Sequence, residues 1–329
     1  MSSRIGKAMA PAEPVGVVGL GNMGAAMAAN LVRAGFEVFG TDILAANRKA
    51  LKKAGGTPLA DARALAKRCR RIILSLPSEA ALRGVSADLA AACSPGTIAI
   101  ETGTLPLAAK IEARDLLAGR GVTLLDCTLS GTGAQAKTRD LAVYASGDAG
   151  AIRAFRPIID GFARSCHDLG EFGNGTRMKF VANLLVAIHN VAAAEAILLG
   201  VRSGLDPARV VEVIGDGAGS SRMFQVRGPS MVNRTWDEAM ITNQVWQKDL
   251  KLIGEALKEA GSPAPLFNAT IPLYTAALAT GHGQHDTAAV YEVFERMAGM
   301  VPGGRLLRKG GAARTATPSR RGRKAGTGL

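Results

Sequence analysis

The chain has 329 residues, of which 47% are hydrophobic and 20% are charged, so it can form a folded core and is not a wholly disordered protein. Its length exceeds the usual size of a single core, and we therefore expect two domains. The net charge of +13 comes largely from the C-terminal end, where eight Lys or Arg and no acidic residue follow Val301, so it does not mark the whole chain as a nucleic-acid-binding protein.

The N-terminal half has the pattern of alternating strands and helices. Residues 1–13 are expected to be flexible and contain no apolar segment typical of a signal peptide, which predicts a cytoplasmic location. From residue 14 to about 169, short apolar runs alternate with amphipathic segments, which predicts βαβ units around a parallel sheet. We therefore predict a Rossmann doubly wound α/β domain over residues 14–172, with strands over 15–19, 37–42, 71–76, 97–101, 122–126 and 141–146.

The first predicted strand runs into a GxGxxG turn, which opens a helix predicted over residues 25–34. The three glycines allow, in order, a tight turn, close approach of a pyrophosphate and close packing of the helix on the strand. The phosphates would meet the N-terminus of that helix. The predicted cofactor-binding residues of this turn are Gly19, Leu20, Gly21, Asn22, Met23 and Gly24.

Asp42 ends the second predicted strand, 18 residues beyond Gly24. A carboxylate there can accept hydrogen bonds from the ribose hydroxyls of NAD and would repel the additional phosphate of NADP, so NAD is the expected cofactor. Two other readings stay open, since Asp42 could simply cap the next turn and Arg48 could serve a phosphate. Leu76 and Pro77, at the end of the third predicted strand, are also predicted to bind the cofactor.

The second half of the chain reads as long helices, because β-branched clusters become rare after Gly173. We predict an all-α domain over residues 173–301. Residues 180–201 are apolar on nearly every face but include Asn183, Asn190 and Glu195, which are costly at a bilayer centre. This predicts a buried central helix that contributes to a homodimer or homotetramer, and not a membrane span.

The C-terminal tail, residues 302–329, is rich in Gly, Ala, Ser, Thr and basic residues and is predicted to be disordered. Aromatic residues are not interleaved with the basic ones, so nucleic acid is not an expected partner. The four cysteines are widely spaced and form no cluster with a histidine, so no metal site is expected and the thiols should be reduced.

Four more segments follow the nucleotide turn in order: Glu101-Thr102-Gly103-Thr104, the run DCTLSGTG at 126–133, the run GNGTRMKFVAN at 173–183, and KDL at 248–250. Together the five segments resemble the β-hydroxyacid dehydrogenase family, which includes 3-hydroxyisobutyrate dehydrogenases and tartronate semialdehyde reductases. The resemblance implies a Rossmann domain followed by a helical domain. It also implies hydride transfer between NAD and a small 3-hydroxy acid, or its semialdehyde or keto form.

The resemblance also implies a substrate site. In the family, a Ser-Gly-Gly turn holds the substrate carboxylate, and this role carries over to Ser130 and Gly131. Thr132 replaces the second glycine and would narrow the pocket; it is still predicted to contact substrate. Thr104 matches the segment near the nicotinamide and is predicted to bind the cofactor, although it could equally cap the next helix.

Lys179 and Asn183 are four residues apart, so they lie on one face of the predicted helix. A lysine on an apolar helix is costly unless it has a use, although it could also snorkel from the helix end. Reduction of a carbonyl needs a proton on oxygen, and a partly desolvated amine can give or take that proton near neutral pH. The resemblance assigns this catalytic role to Lys179, with Asn183 orienting the substrate hydroxyl.

The resemblance implies that Lys248 reaches toward the cofactor or the substrate carboxylate, with Asp249 holding it in place, although Lys-Asp is also a common surface dipeptide. Trp246 is predicted either to contact substrate or to belong to the core. Residues 281–286, GHGQHD, resemble the Gly-x-Gly-x-x-Asp turn of the family, and their histidines, His282 and His285, are expected at the surface. Two other functions stay open: an imine, ketone or β-hydroxy amino acid oxidoreductase of the same superfamily, and a non-enzymatic nucleotide-sensing or nucleic-acid-associated module. Retention of the two lysines argues against a module that only binds.

Overall fold

The computed structural model describes residues 13–301 and the backbone of residues 305 and 306. Most of the predicted N-terminal segment and basic tail lie outside these residues. An eight-stranded sheet has the strand order β3-β2-β1-β4-β5-β6-β7-β8. The strands are β1 (Val15–Val18), β2 (Val38–Thr41), β3 (Thr57–Pro58), β4 (Arg71–Leu74), β5 (Ile98–Glu101), β6 (Thr123–Ser130), β7 (Ala142–Ser146) and β8 (Ser165–Asp168).

The sheet is parallel except where β6 meets β7, and this pair is antiparallel. The predicted parallel sheet is therefore confirmed except at this pair. The connection between the two strands is only residues 131–141, which is too short for the crossover that parallel strands need. Two strands of this sheet were not predicted: β3 has only two residues, and β8 has the polar sequence SCHD. Neither carries the apolar alternation that identifies a strand.

Helices cover both faces of the sheet, as the doubly wound prediction requires. Two separate hydrophobic clusters pack between the sheet and these helices. One includes Met27, Leu31 and Phe155, and the other includes Leu65, Leu82 and Leu117. Every residue of β1 and β5 is buried, because both faces of these strands are covered. These helices are α1 (Asn22–Arg33), α2 (Ala45–Lys53), α3 (Ala62–Ala66), α4 (Glu79–Ala92), α5 (Leu107–Ala118), α6 (Gly133–Lys137) and α7 (Ala149–Phe162).

The chain after β8 is helical, as predicted. Its helices are α8 (Asn174–Arg202), α9 (Pro207–Asp216), α10 (Arg222–Asn233), α11 (Asn243–Glu259), α12 (Pro265–Ala279), a short 3₁₀ helix (Thr287–Ala289) and α13 (Val290–Met297). A final pair of two-residue strands, β9 (Met300–Val301) and β10 (Arg305–Leu306), is antiparallel. Residues 305 and 306 of the predicted tail therefore pair with the end of the helical region, and the disorder of the tail stays a prediction.

The described residues form two compact units. The first contains residues 13–186 and Val245–Ala264, and thus the sheet, the first part of α8 and most of α11. The second contains Ala187–Gln244 and the described residues from Pro265 onward. The predicted domain boundary at 172/173 stays a prediction. All the predicted site residues lie in the first unit.

His282 corrects the expectation that the histidines of the 281–286 turn lie at the surface. It is buried in the second unit, with its ring edge-to-face on Trp236 and its Nδ1 atom 2.9 Å from Nδ1 of His285. Burial lowers the pKa of His282, against the attraction of Glu292, so the ring is neutral at physiological pH. His282 therefore belongs to the packing of the helical region.

Candidate functional site

The glycine turn has the geometry of a phosphate-binding loop. Gly19 has a φ of 88°, and a Cβ atom there would lie 2.2 Å from the carbonyl oxygen of Ser75. A Cβ at Gly24 would lie 1.9 Å from the carbonyl oxygen of Gly19, so α1 packs too closely on the end of β1 for any residue except glycine at this position. Gly21, in contrast, faces open space, and α1 begins after it without a side-chain cap. The turn therefore leaves room and helix amides for a pyrophosphate.

Asp42 lies beside this turn, where its carboxylate is held by backbone amides. Its Oδ2 accepts from Leu20 N–H at 2.7 Å and its Oδ1 from Leu44 N–H at 2.8 Å. Desolvation opposes ionisation, but these hydrogen bonds and the charge of Arg48 hold the pKa of Asp42 below its ordinary value. A carboxylate oxygen has a second lone pair, so each can still accept a ribose hydroxyl. The turn-capping role and the ribose-binding role are compatible.

The remaining cofactor-side residues follow β4 and β5. Leu76 is buried near Gly19, whereas Pro77 is exposed. After β5, Thr102 is fixed by its N–H and its hydroxyl, which both donate to the carbonyl of Leu74 at 2.9 and 2.7 Å. A Cβ at Gly103 would lie 2.8 Å from Glu101 Oε1 and 3.1 Å from the carbonyl oxygen of Leu76.

Thr104 does not cap the next helix. Helix α5 begins at Leu107, its N-cap is Pro106, and no side chain caps it. The carbonyl oxygen of Thr104 instead accepts a hydrogen bond from Lys248 Nζ at 2.5 Å. Thr104 is thus connected to α11, and its hydroxyl stays available for the predicted cofactor contact.

Helices α8 and α11 bring four predicted site residues together. These are Lys179 and Asn183 on α8 and Lys248 and Asp249 on α11. Asn183 Nδ2 donates to Asp249 Oδ2 at 3.0 Å, and Lys248 Nζ lies 2.8 Å from Asp249 Oδ1. Asp249 is buried and therefore fixes both partners. A lysine and an amide are thus held beside Lys179 by one carboxylate.

Lys179 itself is half-buried. Desolvation by the surrounding atoms lowers its pKa to about 8; Asp249 opposes this shift, and the charge of Lys248 adds to it. An amine with this pKa exists in both protonation states near neutral pH, so it can serve as a general acid or a general base. The cluster has the chemistry of a proton-transfer site.

The predicted carboxylate-binding turn lies at the end of β6, and one of its donors is already used. Gly131 has a φ of 137°, a conformation that favours glycine. Thr132 is the N-cap of α6, and its N–H donates to Gln135 Oε1 at 3.0 Å within a capping box. Gln135 Nε2 in turn donates to Asp140 Oδ2 at 2.9 Å. Sequence reasoning placed Thr132 in the pocket but missed that Gln135 occupies its amide; the Thr-x-x-Gln spacing was the available signal.

Trp246 is 3% exposed. This burial favours the interpretation that Trp246 belongs to the core. Among the described residues, no group of three or more His, Cys, Asp and Glu side chains is placed to hold a metal ion.

The sequence is similar to that of known dehydrogenases along most of its length. Residues 14–170 match the NAD-binding domain of 6-phosphogluconate dehydrogenase, and residues 173–294 match the NAD-binding domain of NADP-dependent 3-hydroxyisobutyrate dehydrogenase. An L-threonate dehydrogenase of Cupriavidus necator is 33% identical over 286 residues, which are 85% of this chain and 95% of the relative. The second match includes the whole of α8, so this helix is part of a dehydrogenase domain.

Two solved structures have the same architecture. A 3-hydroxyisobutyrate dehydrogenase of Salmonella typhimurium is 29% identical with a TM-score of 0.78, and covers 85% of this chain and 99% of its own. A Mycobacterium tuberculosis 3-hydroxyisobutyrate dehydrogenase, solved with L-serine, is 28% identical with a TM-score of 0.77, and covers 86% and 99%. The chain belongs to the β-hydroxyacid dehydrogenase family and is an NAD(P)-dependent oxidoreductase of hydroxy acids.

Proposed function

We propose that Lys179 transfers the proton in the interconversion of a short 3-hydroxy acid and its carbonyl form. The observation that carries this proposal is a half-buried amine with a pKa of about 8 beside the Asn183–Asp249–Lys248 chain. In oxidation, the neutral amine accepts the hydroxyl proton; in reduction, the ammonium returns it. Asn183 has a second amide hydrogen and a carbonyl oxygen with which to orient the substrate hydroxyl.

We propose NAD, in preference to NADP, as the cofactor. When bound, it supplies the nicotinamide carbon that accepts or donates the hydride. Gly21 leaves open space for its phosphates, Gly19 and Gly24 allow the tight turn and the close approach of α1 to β1, and the ionised Asp42 disfavours a phosphate on the ribose. Arg48 donates to the main-chain carbonyl of Asp42, which supports a structural role for this arginine.

We propose that the substrate carboxylate binds at Ser130 and Gly131. Because the N–H of Thr132 is held by Gln135, the turn offers fewer donors than a Ser-Gly-Gly turn unless Gln135 moves aside. The names of the relatives point to short hydroxylated acids, including L-threonate and, for the solved mycobacterial enzyme, L-serine as a bound molecule. A β-hydroxy amino acid therefore remains the second candidate substrate.

We propose that two copies of the chain associate through α8. By length and composition this helix could cross a membrane, yet only 39% of its most apolar window is buried. Val181, Leu185 and Leu199 are 57%, 46% and 69% exposed, and they form part of a stripe with helical spacing. An apolar stripe within a dehydrogenase domain fits a second copy of the same helix, and association of this kind is compatible with a cytoplasmic enzyme.

Light scattering tests the association. Leu185→Asp should convert the oligomer to monomers, whereas Leu116→Asp, an equally exposed position on α5, should not change the mass. A wild-type monomer at micromolar concentration would contradict the proposal.

A substrate panel tests the activity. NADH formation at 340 nm would be followed with 3-hydroxyisobutyrate, L-threonate, L-serine and 2-(hydroxymethyl)glutarate as substrates, with either NAD or NADP. We expect turnover of at least one short acid, with a preference for NAD. Lys179→Ala should abolish that turnover and leave NAD binding nearly intact; activity within tenfold of wild type would refute the role of Lys179.

A further inference from the structure

A second charged cluster connects the loop after β5 to the start of α8 and contains a lysine that the mechanism does not use. Lys110, on α5, is 0% exposed, as are Glu101 at the end of β5 and Asp126 in β6. Lys110 Nζ lies 2.6 Å from Glu101 Oε2 and 2.8 Å from Asp126 Oδ1. Burial of three ionisable groups is costly, so this cluster calls for a role that apolar residues could not fill.

On one side, the cluster contacts the nicotinamide-side loop, which is the segment 102–106 after β5 that contains the predicted cofactor residue Thr104. Lys110 Nζ donates to the carbonyl of Gly103 at 2.8 Å, and Glu101 Oε1 accepts from Gly103 N–H at 2.8 Å. The next carbonyl, that of Thr104, is held by Lys248. Two ammonium groups thus fix two consecutive carbonyls of this loop.

On the other side, the cluster contacts the first turn of α8. The contacted residues, Gly175 and Thr176, are four and three residues before Lys179. Asp126 Oδ2 accepts from Thr176 N–H at 2.7 Å, and Asp126 Oδ1 accepts from the Thr176 hydroxyl at 2.9 Å. Ser146 accepts from Gly175 N–H at 2.9 Å. A Cβ at Gly175 would lie 2.7 Å from the carbonyl oxygen of Asp126, so only glycine lets the helix approach this closely.

We propose that Lys110, with Glu101 and Asp126, is a positioning element that keeps the nicotinamide-side loop in register with the helix that carries Lys179. This proposal rests on the proposed role of Lys179. Hydride transfer and proton transfer act on adjacent atoms of one substrate, so the loop and the helix must be aligned together. A misplacement of about 1 Å can reduce the rate about 100-fold.

The cluster acts through position and not through charge on Lys179. The charges that shift the pKa of Lys179 are those of Asp249 and Lys248, and Lys110 is not among them. Disruption of the cluster should therefore reduce the rate of hydride transfer while leaving the pH dependence of turnover unchanged. Loss of global stability alone would not produce this combination.

The test uses the double variant Lys110→Met/Glu101→Gln in the full chain. It removes one cation and one carboxylate together, keeps Asp126 on α8, and lets the new glutamine still accept from Gly103. The matched control is Arg83→Met/Glu112→Gln, which removes an exposed 3.0 Å ion pair whose Glu112 lies on the same helix α5. Three quantities are measured: kcat with its deuterium isotope effect, the Kd of NAD, and amide exchange over residues 102–107 and 174–180.

We expect kcat to fall about 10- to 100-fold in the double variant, with a larger isotope effect, an unchanged kinetic pKa and a Kd of NAD within about threefold. Amide exchange should accelerate in both segments, and the control should resemble wild type in every measurement. Unchanged exchange in either segment, or a kcat within threefold of wild type, would overturn the proposal. Exchange needs no substrate, so this readout decides the case even if the proposed activity fails.

Thr176→Val provides a second variant in case the double variant does not fold. It removes the hydroxyl that donates to Asp126 and keeps the backbone N–H donor. We expect faster exchange in residues 174–180 and a smaller fall in kcat, of about threefold. No change in either quantity would overturn the proposal.

Discussion

The protonation of Lys179 gives the most quantitative prediction, and Lys179→Arg is the substitution that tests it. With a pKa of about 8, the amine is about 9% neutral at pH 7 and about 91% neutral at pH 9. Oxidation needs the neutral base, so kcat should rise about tenfold between these values and then level off. Reduction needs the ammonium, so its rate should fall as the pH rises above about 8.

An ordinary lysine would give a different profile. With a pKa of about 10.5, it would be only about 0.03% neutral at pH 7, and the rate of oxidation would still be rising about tenfold per unit at pH 9. Arginine keeps the charge but stays protonated, so Lys179→Arg should reduce oxidation at pH 9 by about 1000-fold or more. NAD binding, measured by calorimetry, should change little.

Lys251→Arg is the matched control, because this lysine is on α11 and largely exposed. It should leave the pH profile unchanged. Two results would refute the reasoning. One is a wild-type rate of oxidation that does not rise and level off around pH 8, and the other is Lys179→Arg activity within tenfold of wild type.

Three further substitutions test neighbouring parts of the account. Asp42→Ala should weaken NAD about tenfold and leave NADP unchanged or tighter, because a ribose acceptor and a repulsive charge are lost; an unaltered NAD:NADP ratio of Kd values would count against the cofactor proposal. Ser130→Ala should raise KM for the acid about 10-fold or more with a similar kcat, and unaltered kinetics would remove the carboxylate from this turn. Lys248→Met should raise the pKa of Lys179, because a neighbouring cation is lost, so the rise in oxidation should move to higher pH; a shift to lower pH in the kinetic profile would contradict this.

Much of the sheet was accessible from the sequence because its central strands are buried on both faces. Continuous apolar runs identified β1, β2, β4 and β5 to within a residue or two. The glycine turn was equally accessible, since the close contacts at Gly19 and Gly24 leave no room for a side chain. The antiparallel step between β6 and β7 was missed because a short connection was read as a crossover.

The site was only partly accessible. Local spacing placed Lys179 and Asn183 on one face, and the motif at 248–250 placed Lys248 beside them. The occupied amide of Thr132 depends on the side-chain conformation of Gln135, which a motif does not specify. The buried position of Lys110 was missed, because a lysine in an amphipathic helix is usually a surface residue. Its partners, Glu101 and Asp126, come from strands β5 and β6 and not from its own helix.

A crystal structure of the enzyme with NAD and its hydroxy acid tests the central claim most directly. The account predicts that Lys179 Nζ lies about 2.6–3.2 Å from the oxygen of the reacting hydroxyl, with the nicotinamide beside the same carbon. A Lys179 amine that faces bulk solvent, with another side chain in hydrogen-bond contact with that hydroxyl, would contradict it.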